Sequence, residues 1–417
     1  MAKRVVVIGA GASGLVAAGF LAERGASVTV LEKNDRTAAK VRISGKGRCN
    51  ITNAMPIRDF PPNYGRNGSF LYGALHRFSN RDCIEFFSGL GVKTKVERGQ
   101  RVFPVSDDAD QVADALQLFA ERAGVKISFG QRAVGILLNE EGGISGVQSL
   151  HQKSMRHVPA DAVIVATGGL SYPGTGSTGD GYRLARRLGH SIVEPRPALV
   201  PVRVAESWPQ TLSGLTLKNV ELRLINPLGG KETFFGELMF AHFGLTGPII
   251  LTASEIIDVW LRRANRPVQA FLDLKPALSE EQLDRRLLRE FESHARQQLR
   301  TILKELLPRS LINIILDLSQ LPPEQPGSQV TREQRLRLGK LLKNLPLAVT
   351  STLPITAAIV TAGGVDLKEI NAKTMESKLQ KGLYFTGEVL DIHGVTGGFN
   401  LQAAFSTAYC AAHAVEL

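Results

Sequence analysis

The stretch Val5–Glu32 constrains this chain more than any other. Val5, Val6, Val7 and Ile8 are four consecutive β-branched residues, the composition of a buried parallel strand. Gly9, Gly11 and Gly14 follow with G-x-G-x-x-G spacing. Leu15–Arg24 reads as a helix, and Ser27–Leu31 as a second strand ending in Glu32. Strand, glycine loop, helix, strand and acid in this order form the dinucleotide-binding fingerprint. Gly9 allows the tight turn, Gly11 lets the backbone approach a pyrophosphate, and Gly14 lets the helix lie on the strand. The helix start, with Ala12 and Ser13, offers free N–H groups and a positive dipole end to phosphates. Glu32 is placed to hydrogen-bond ribose hydroxyls, with Lys33 beside it.

A chain of 417 residues is too long for one core and predicts two or three domains. The three cysteines (Cys49, Cys83, Cys410) are odd in number, far apart and form no C-x-x-C. They read as reduced thiols of a cytoplasmic protein, not as a disulfide frame or metal site, and no metal is expected. The opening M-A-K-R and apolar run resemble a signal peptide superficially, but the glycine fingerprint inside that run argues against export. Two long uncharged stretches, Asn344–Val365 and Gly394–Ala412, carry too many Pro, Thr, Asn and Gln residues to sit in lipid. No membrane partner is expected.

The net charge is +11, and Lys33–Arg101 holds 14 Lys or Arg against 5 Asp or Glu. A solvated basic face with a few phosphate ligands is one reading. A polyanionic partner such as RNA is the other.

Further along, Val41–Asn53 and Pro61–Gly68 read as irregular, and Asn80–Leu90 as a helix. Ser106 or Asp107 caps a helix to about Ala123. Strands are expected at Val92–Glu97, Arg101–Val105, Lys126–Phe129, Ala133–Leu138, Ile144–Leu150 and Arg156–Val158. The apolar strand Ala162–Ala166 follows, then a helix over Thr178–Leu188. Leu199–Leu274 is β-rich. Ser279-Glu280-Glu281-Gln282 is a capping box that opens a helix with apolar positions continuing to Leu306. Helices at Ser310–Leu318 and Thr331–Leu345 complete a helical insertion. Strands return at Ala348–Ile355, Ala357–Gly363 and Leu383–Gly387, and Gly398–Ala414 is the closing helix.

Three further motifs select the cofactor. Ser44-Gly45-Lys46-Gly47-Arg48-Cys49-Asn50 can lie flat against a ligand, with Lys40, Ser44 and Arg48 as donors to phosphates or ribityl hydroxyls. Thr167-Gly168-Gly169 ends a buried strand in a sharp turn. Gly387-Glu388 lies on a late strand, and Gly397-Gly398-Phe399-Asn400 opens the last helix. A helix N-terminus there can stabilise negative charge on a reduced flavin ring. Simple NAD-binding Rossmann proteins do not need this distant half-site, whereas the longer FAD does. Ala133 completes the expected cofactor-binding set.

Four segments, S-G-K-G-R-C-N-I-T-N, A-T-G-G-L-S-Y-P-G-T-G-S-T-G-D-G-Y, F-A-H-F-G-L-T-G-P and T-G-E-V-L-D-I-H-G-V-T-G-G-F-N, carry a family resemblance. Together they are similar to the BaiN/RdsA-type NAD(P)/FAD-dependent oxidoreductases over essentially the whole chain. The resemblance implies an α/β fold: a split Rossmann-like FAD-binding domain, an inserted β-barrel-like domain, and a helical insertion within that. With the element order above, the FAD domain takes 1–195 and 363–417, the barrel 196–277 and 346–362, and the helices 278–345. Two positions depart from the family pattern. Ala38-Ala39 replaces a Gly-Arg pair, and Lys46 replaces a glycine.

Members of that family are linked to dihydrouridine formation in large-subunit ribosomal RNA, and others to amine oxidation or enone reduction. The first chemistry needs hydride at uracil C6 and a proton at C5. Cys49 and His242 are the candidate acids, and a nearby Arg48 guanidinium would lower the Cys49 thiol pKa. No second G-x-G-x-x-G follows a strand, so NADH or NADPH would enter the substrate cleft transiently. Ribosomal RNA would be held by the basic Lys33–Arg101 region.

Overall fold

The computed structural model describes residues 2–417. The chain divides into two compact units, Met1–Ala198 with Ile355–Leu417, and Leu199–Pro354.

The first unit is built on a five-stranded parallel sheet. Its order is Leu383–Phe385, Ala162–Val165, Arg4–Ile8, Ser27–Leu31, Lys126–Ser128. Val5–Ile8 and Ala162–Val165 are buried throughout, as strands covered on both faces must be. Helix Ala12–Glu23 lies beside the closing helix Phe399–Ala414, where Phe20 meets Tyr409 edge-on with ring centroids 5.1 Å apart. Both helices are rich in Ala, Gly, Ser and Thr and bury most of their faces, so they show little amphipathicity. Two small antiparallel sheets flank this core: Thr52–Asn53 with Arg101–Pro104 and Thr94–Glu97, and a meander of Gln131–Leu138, Ile144–His151 and Ser154–Pro159.

Some elements differ from the expectation. The segment read as irregular contains a short helix, Ala39–Ile43, and 3₁₀ turns, and helix Gly68–Arg77 follows it. Helix Asn80–Gly89 starts as expected, with Ser79 and Asp82 forming a reciprocal capping box.

The second unit is a closed six-stranded antiparallel barrel: Val202–Val204, Gly244–Thr246, Lys231–Ala241, Thr216–Ile225, Val268–Asp273 and Leu345–Thr352. Alternate residues such as Leu222, Leu224, Ala270, Leu272, Leu345 and Leu347 fill its interior. The region read as β-rich also holds helix Pro248–Ala264, with proline at its first position. The helix expected to run to Leu306 stops at Ser293, and the apolar positions beyond it belong to a separate short helix, Leu299–Ile302. Among the described residues, no helix is long and apolar enough to cross a membrane.

A buried histidine ties the approach to Leu383–Phe385 in the first unit. His190 Nδ1 lies 3.0 Å from Glu369 Oε2, and Nε2 lies 2.8 Å from Ser377 Oγ. Ser377 Oγ already accepts from the N–H groups of Leu379 and Gln380. Its hydroxyl must therefore donate to Nε2, which fixes a neutral imidazole with its proton on Nδ1. Burial lowers the His190 pKa despite Glu369. A histidine with a depressed folded pKa costs stability once the unfolded chain begins to bind its proton. The melting temperature should therefore hold above about pH 6.5 and fall as pH drops from there toward the folded pKa. Calorimetric scans from pH 8 to pH 5 should show this slope in the native protein and lose it in His190→Gln.

Candidate functional site

The sheet registers put four motifs on one edge. Ile8 pairs with Leu31 on one side and Val165 on the other, and Val165 pairs with Phe385. The next residues along these strands are Gly9, Glu32, Ala166-Thr167 and Thr386-Gly387-Glu388. This is the carboxyl edge of a parallel sheet, at the point where strand order reverses about Arg4–Ile8. Open α/β sheets bind ligands in that crevice.

The three fingerprint glycines have three distinct environments. Gly9 has φ +104°. A Cβ on Gly14 would sit 1.9 Å from the Gly9 carbonyl oxygen, so helix and loop are in backbone contact there. A Cβ on Gly11 would meet nothing within 4 Å. Space beside its backbone is open. Glu32, nearly buried, accepts at 2.8 Å from the N–H of Ala10 through one oxygen and from that of Asn34 through the other. It holds the loop, and each oxygen retains a lone pair for a further donor.

Lys33 Nζ is 2.7 Å from Asp180 Oδ2. Burial, reinforced by the Arg132 charge, lowers its pKa to about 8. Lys40 and Glu388, far apart in sequence, meet at 2.7 Å. Glu388 also accepts from the Ser171 hydroxyl at 3.0 Å and the Thr361 N–H at 2.8 Å. Gly168 and Gly169 bend the chain past this carboxylate. Gly387, at φ +72°, lies against Ser13, joining the C-terminal motif to the first helix.

The loop after Ala39 approaches the last helix. The Asn50 amide, oriented by its neighbours, donates to the carbonyls of Val102 and Thr52 and accepts from the Gly398 N–H at 2.9 Å. Asn53 Nδ2 donates to the Gly397 carbonyl at 3.0 Å. Tyr64 donates to the Phe399 carbonyl, and Asn400 closes the preceding loop on Gly394. Gly45, Lys46 and Gly47 all have positive φ, and so does Ala38 at +52°. Both departures from the family pattern thus put a side chain where glycine is unstrained, at about 1 kcal/mol each.

In this loop the structure gives Ser44 and Arg48 partners within the protein and corrects the expectation for Cys49. Ser44 donates to the Val41 carbonyl. Arg48 is committed to Glu97 and Asp107 and lies 4.2 Å over the Phe103 ring, so its guanidinium serves the small sheet. Cys49 is fully buried, and burial pushes its thiol up to about 12, against the expected lowering. Arg48 cannot activate it because its charge is already neutralised by two carboxylates. The basic run is also less positive than its count. Arg36 and Arg42 pair with Asp110, Arg42 with Asp114, and Lys95 with Asp107, acids that lie just beyond Arg101.

His242 belongs to the second unit. It is exposed in the two-residue turn between Lys231–Ala241 and Gly244–Thr246, with its ring 4.8 Å from that of Phe243.

Asp180, Ser171 and Thr361 join the site without having been singled out by sequence. The first two stand in a glycine-rich segment that could have signalled them. Thr361 sits in an ordinary strand and carries no such signal.

The residues present fit a bound dinucleotide. Gly11 leaves a backbone approach unfilled. The hydroxyl of Thr386, buried at the end of strand Leu383–Phe385, has no partner among the described residues. Such groups are costly to bury unless something else satisfies them.

Residues 3–414 match the family model described as HI0933-like protein Rossmann domain. A relative from Haemophilus influenzae named ribosomal RNA dihydrouridine synthase is 32% identical over 99% of this chain and 98% of its own length. One from Clostridium scindens named 3-dehydro-bile acid delta(4,6)-reductase is also 32% identical, with the same coverage. The solved 3-ketosteroid delta1-dehydrogenase from Sterolibacterium denitrificans, 13% identical, aligns with a TM-score of 0.55 over 99% of both chains and shares the fold. With a matching family model across nearly its whole length, the chain belongs to the HI0933-like Rossmann family of FAD-dependent oxidoreductases.

Proposed function

We propose that this enzyme reduces the C5=C6 bond of a uridine in large-subunit ribosomal RNA, using FAD and with NADH or NADPH as transient reductant. The observation that carries the reading is full-length similarity to two relatives named ribosomal RNA dihydrouridine synthase, at 32% and 29% identity. The strand-end geometry supports the cofactor. Gly11 and the first helix start would hold the pyrophosphate, Glu32 the ribose, and Glu388 and Gly397–Asn400 the flavin half. Bound FAD supplies hydride transfer to one carbon of a conjugated double bond.

The chain's residues supply binding and the proton. A uracil at C6–C5 is reachable only when unstacked, so the target would be a loop or unpaired base. His242 is the better proton donor of the two candidates, because it is exposed whereas Cys49 is sealed from any substrate. Mass spectrometry of ribosomal RNA from cells with and without the gene tests the reading. One dihydrouridine should disappear on deletion, and an unchanged set of dihydrouridines defeats it.

The bile-acid relative favours a second reading, reduction of a small enone. Stopped-flow oxidation of the reduced protein by enones, with no RNA present, separates the two.

A further inference from the structure

Positive charge also gathers around Asp180, on residues that lie mostly outside Lys33–Arg101. Asp180 accepts from Lys33 at 2.7 Å, from Arg132 at 2.8 Å, and from Arg183. Arg187, one helical turn after Arg183, donates to the Val134 carbonyl at 2.5 Å. Arg132, Asp180, Arg183 and Arg187 border a cavity of about 180 Å³, also faced by Leu184 and Ala133. Three arginines against one carboxylate leave its lining with an excess of two positive charges.

The charges repel one another. Lys33 is lowered by burial and by Arg132, and Arg183 by burial and then by Arg132 and Arg187. Such an imbalance favours an approaching anion. The Arg132 and Arg183 side chains are 48% and 50% exposed, so their planar forks can reach phosphate oxygens without unfolding anything. Only Ala133 among the cavity's residues belongs to the expected cofactor set. Arg36 and Arg42 have two carboxylates between them, Asp110 and Asp114, and Arg48 and Lys95 have Glu97 and Asp107, whereas Lys33, Arg132 and Arg183 all share Asp180.

We propose that Arg132, Arg183 and Arg187 form a docking surface for the phosphodiester backbone of the RNA substrate. The inference rests on the ribosomal RNA reading above. It moves the contact from the basic run to the groove between Gln131–Leu138 and helix Asp180–Arg187.

The test is fluorescence anisotropy of the FAD-loaded protein with transcribed large-subunit ribosomal RNA fragments between 50 and 200 mM salt. Arg183→Gln/Arg187→Gln should weaken binding roughly tenfold. It should also flatten the log K against log salt slope by about 1.4, because two phosphates of a single strand would no longer be neutralised. Arg183→Lys/Arg187→Lys should recover most of the affinity. Flavin absorbance and the melting temperature report whether each variant is folded, and Arg187→Gln alone serves if the double variant is not. Wild-type-like binding by the Gln variants overturns this surface and leaves the RNA reading standing. Absence of salt-dependent RNA binding by the native protein overturns both. If the Gln variants instead raise KM for NADPH while RNA binding and KM for NADH hold, the surface takes a nucleotide phosphate and the inference is overturned.

Discussion

Gly14→Ala is expected to lose the cofactor and about 3 kcal/mol of stability together, whereas Gly11→Ala should lose the cofactor alone. The added methyl at Gly14 would stand 1.9 Å from the Gly9 carbonyl oxygen, which is backbone and cannot swing aside. Helix Ala12–Glu23 would have to lift from strand Arg4–Ile8, and overpacking of that kind costs about 1–3 kcal/mol or somewhat more. At Gly11 the same methyl meets no protein atom within 4 Å. It would occupy the open space beside the backbone where a pyrophosphate would approach, and Gly11 is an N-cap with φ −80°, which alanine adopts without strain. Flavin absorbance after gel filtration and urea midpoints of the apoproteins should separate the two. If Gly11→Ala retains FAD, the pyrophosphate does not approach the chain at this glycine.

Glu388→Ala should destabilise the protein by about 3 kcal/mol and release bound FAD. The carboxylate accepts from Lys40, Ser171 and the Thr361 N–H. Removing it leaves a buried N–H without an acceptor and takes the carboxylate from a mostly covered ammonium that keeps only the Ser171 hydroxyl at 2.6 Å, and unmet buried donors cost about 1–3 kcal/mol each. Glu388→Gln keeps one oxygen and should cost less than half as much. Equal midpoints for wild type and Glu388→Ala in urea would show that solvent replaces these bonds without penalty.

The cofactor edge was legible because its signals are local. Val5–Glu32 contains a strand, a turn and a helix in one continuous run, and Gly14 answers to Gly9 only five residues before it. Helix Asn80–Gly89 and helix Arg332–Lys343 were legible for the same reason, through capping boxes at Ser79 and Thr331. Helix Pro248–Ala264 was missed because its Ile, Val and Thr content suits strands. Its apolar Ile249, Ile250, Ala253 and Ile257 carried the helical spacing nonetheless. The Lys40–Glu388 pair joins residues 348 apart, and no local pattern reports such a contact. Charge counting failed at Arg101 for a related reason. The window closed six residues before Asp107, and acids that neutralise the run came next.

The order of synthesis follows from the division of the chain. Leu199–Pro354 is continuous, so the barrel and its helices have all their strands once that segment has left the ribosome. The flavin unit does not. Its edge strand Leu383–Phe385 and the closing helix Phe399–Ala414 emerge last, and until then helix Ala12–Glu23 lacks its largest neighbour. Contacts between chain ends are the slowest to form, because the intervening loop must close first. The nascent chain therefore carries a complete barrel unit while the cofactor edge still waits for Leu383–Phe385 and Phe399–Ala414.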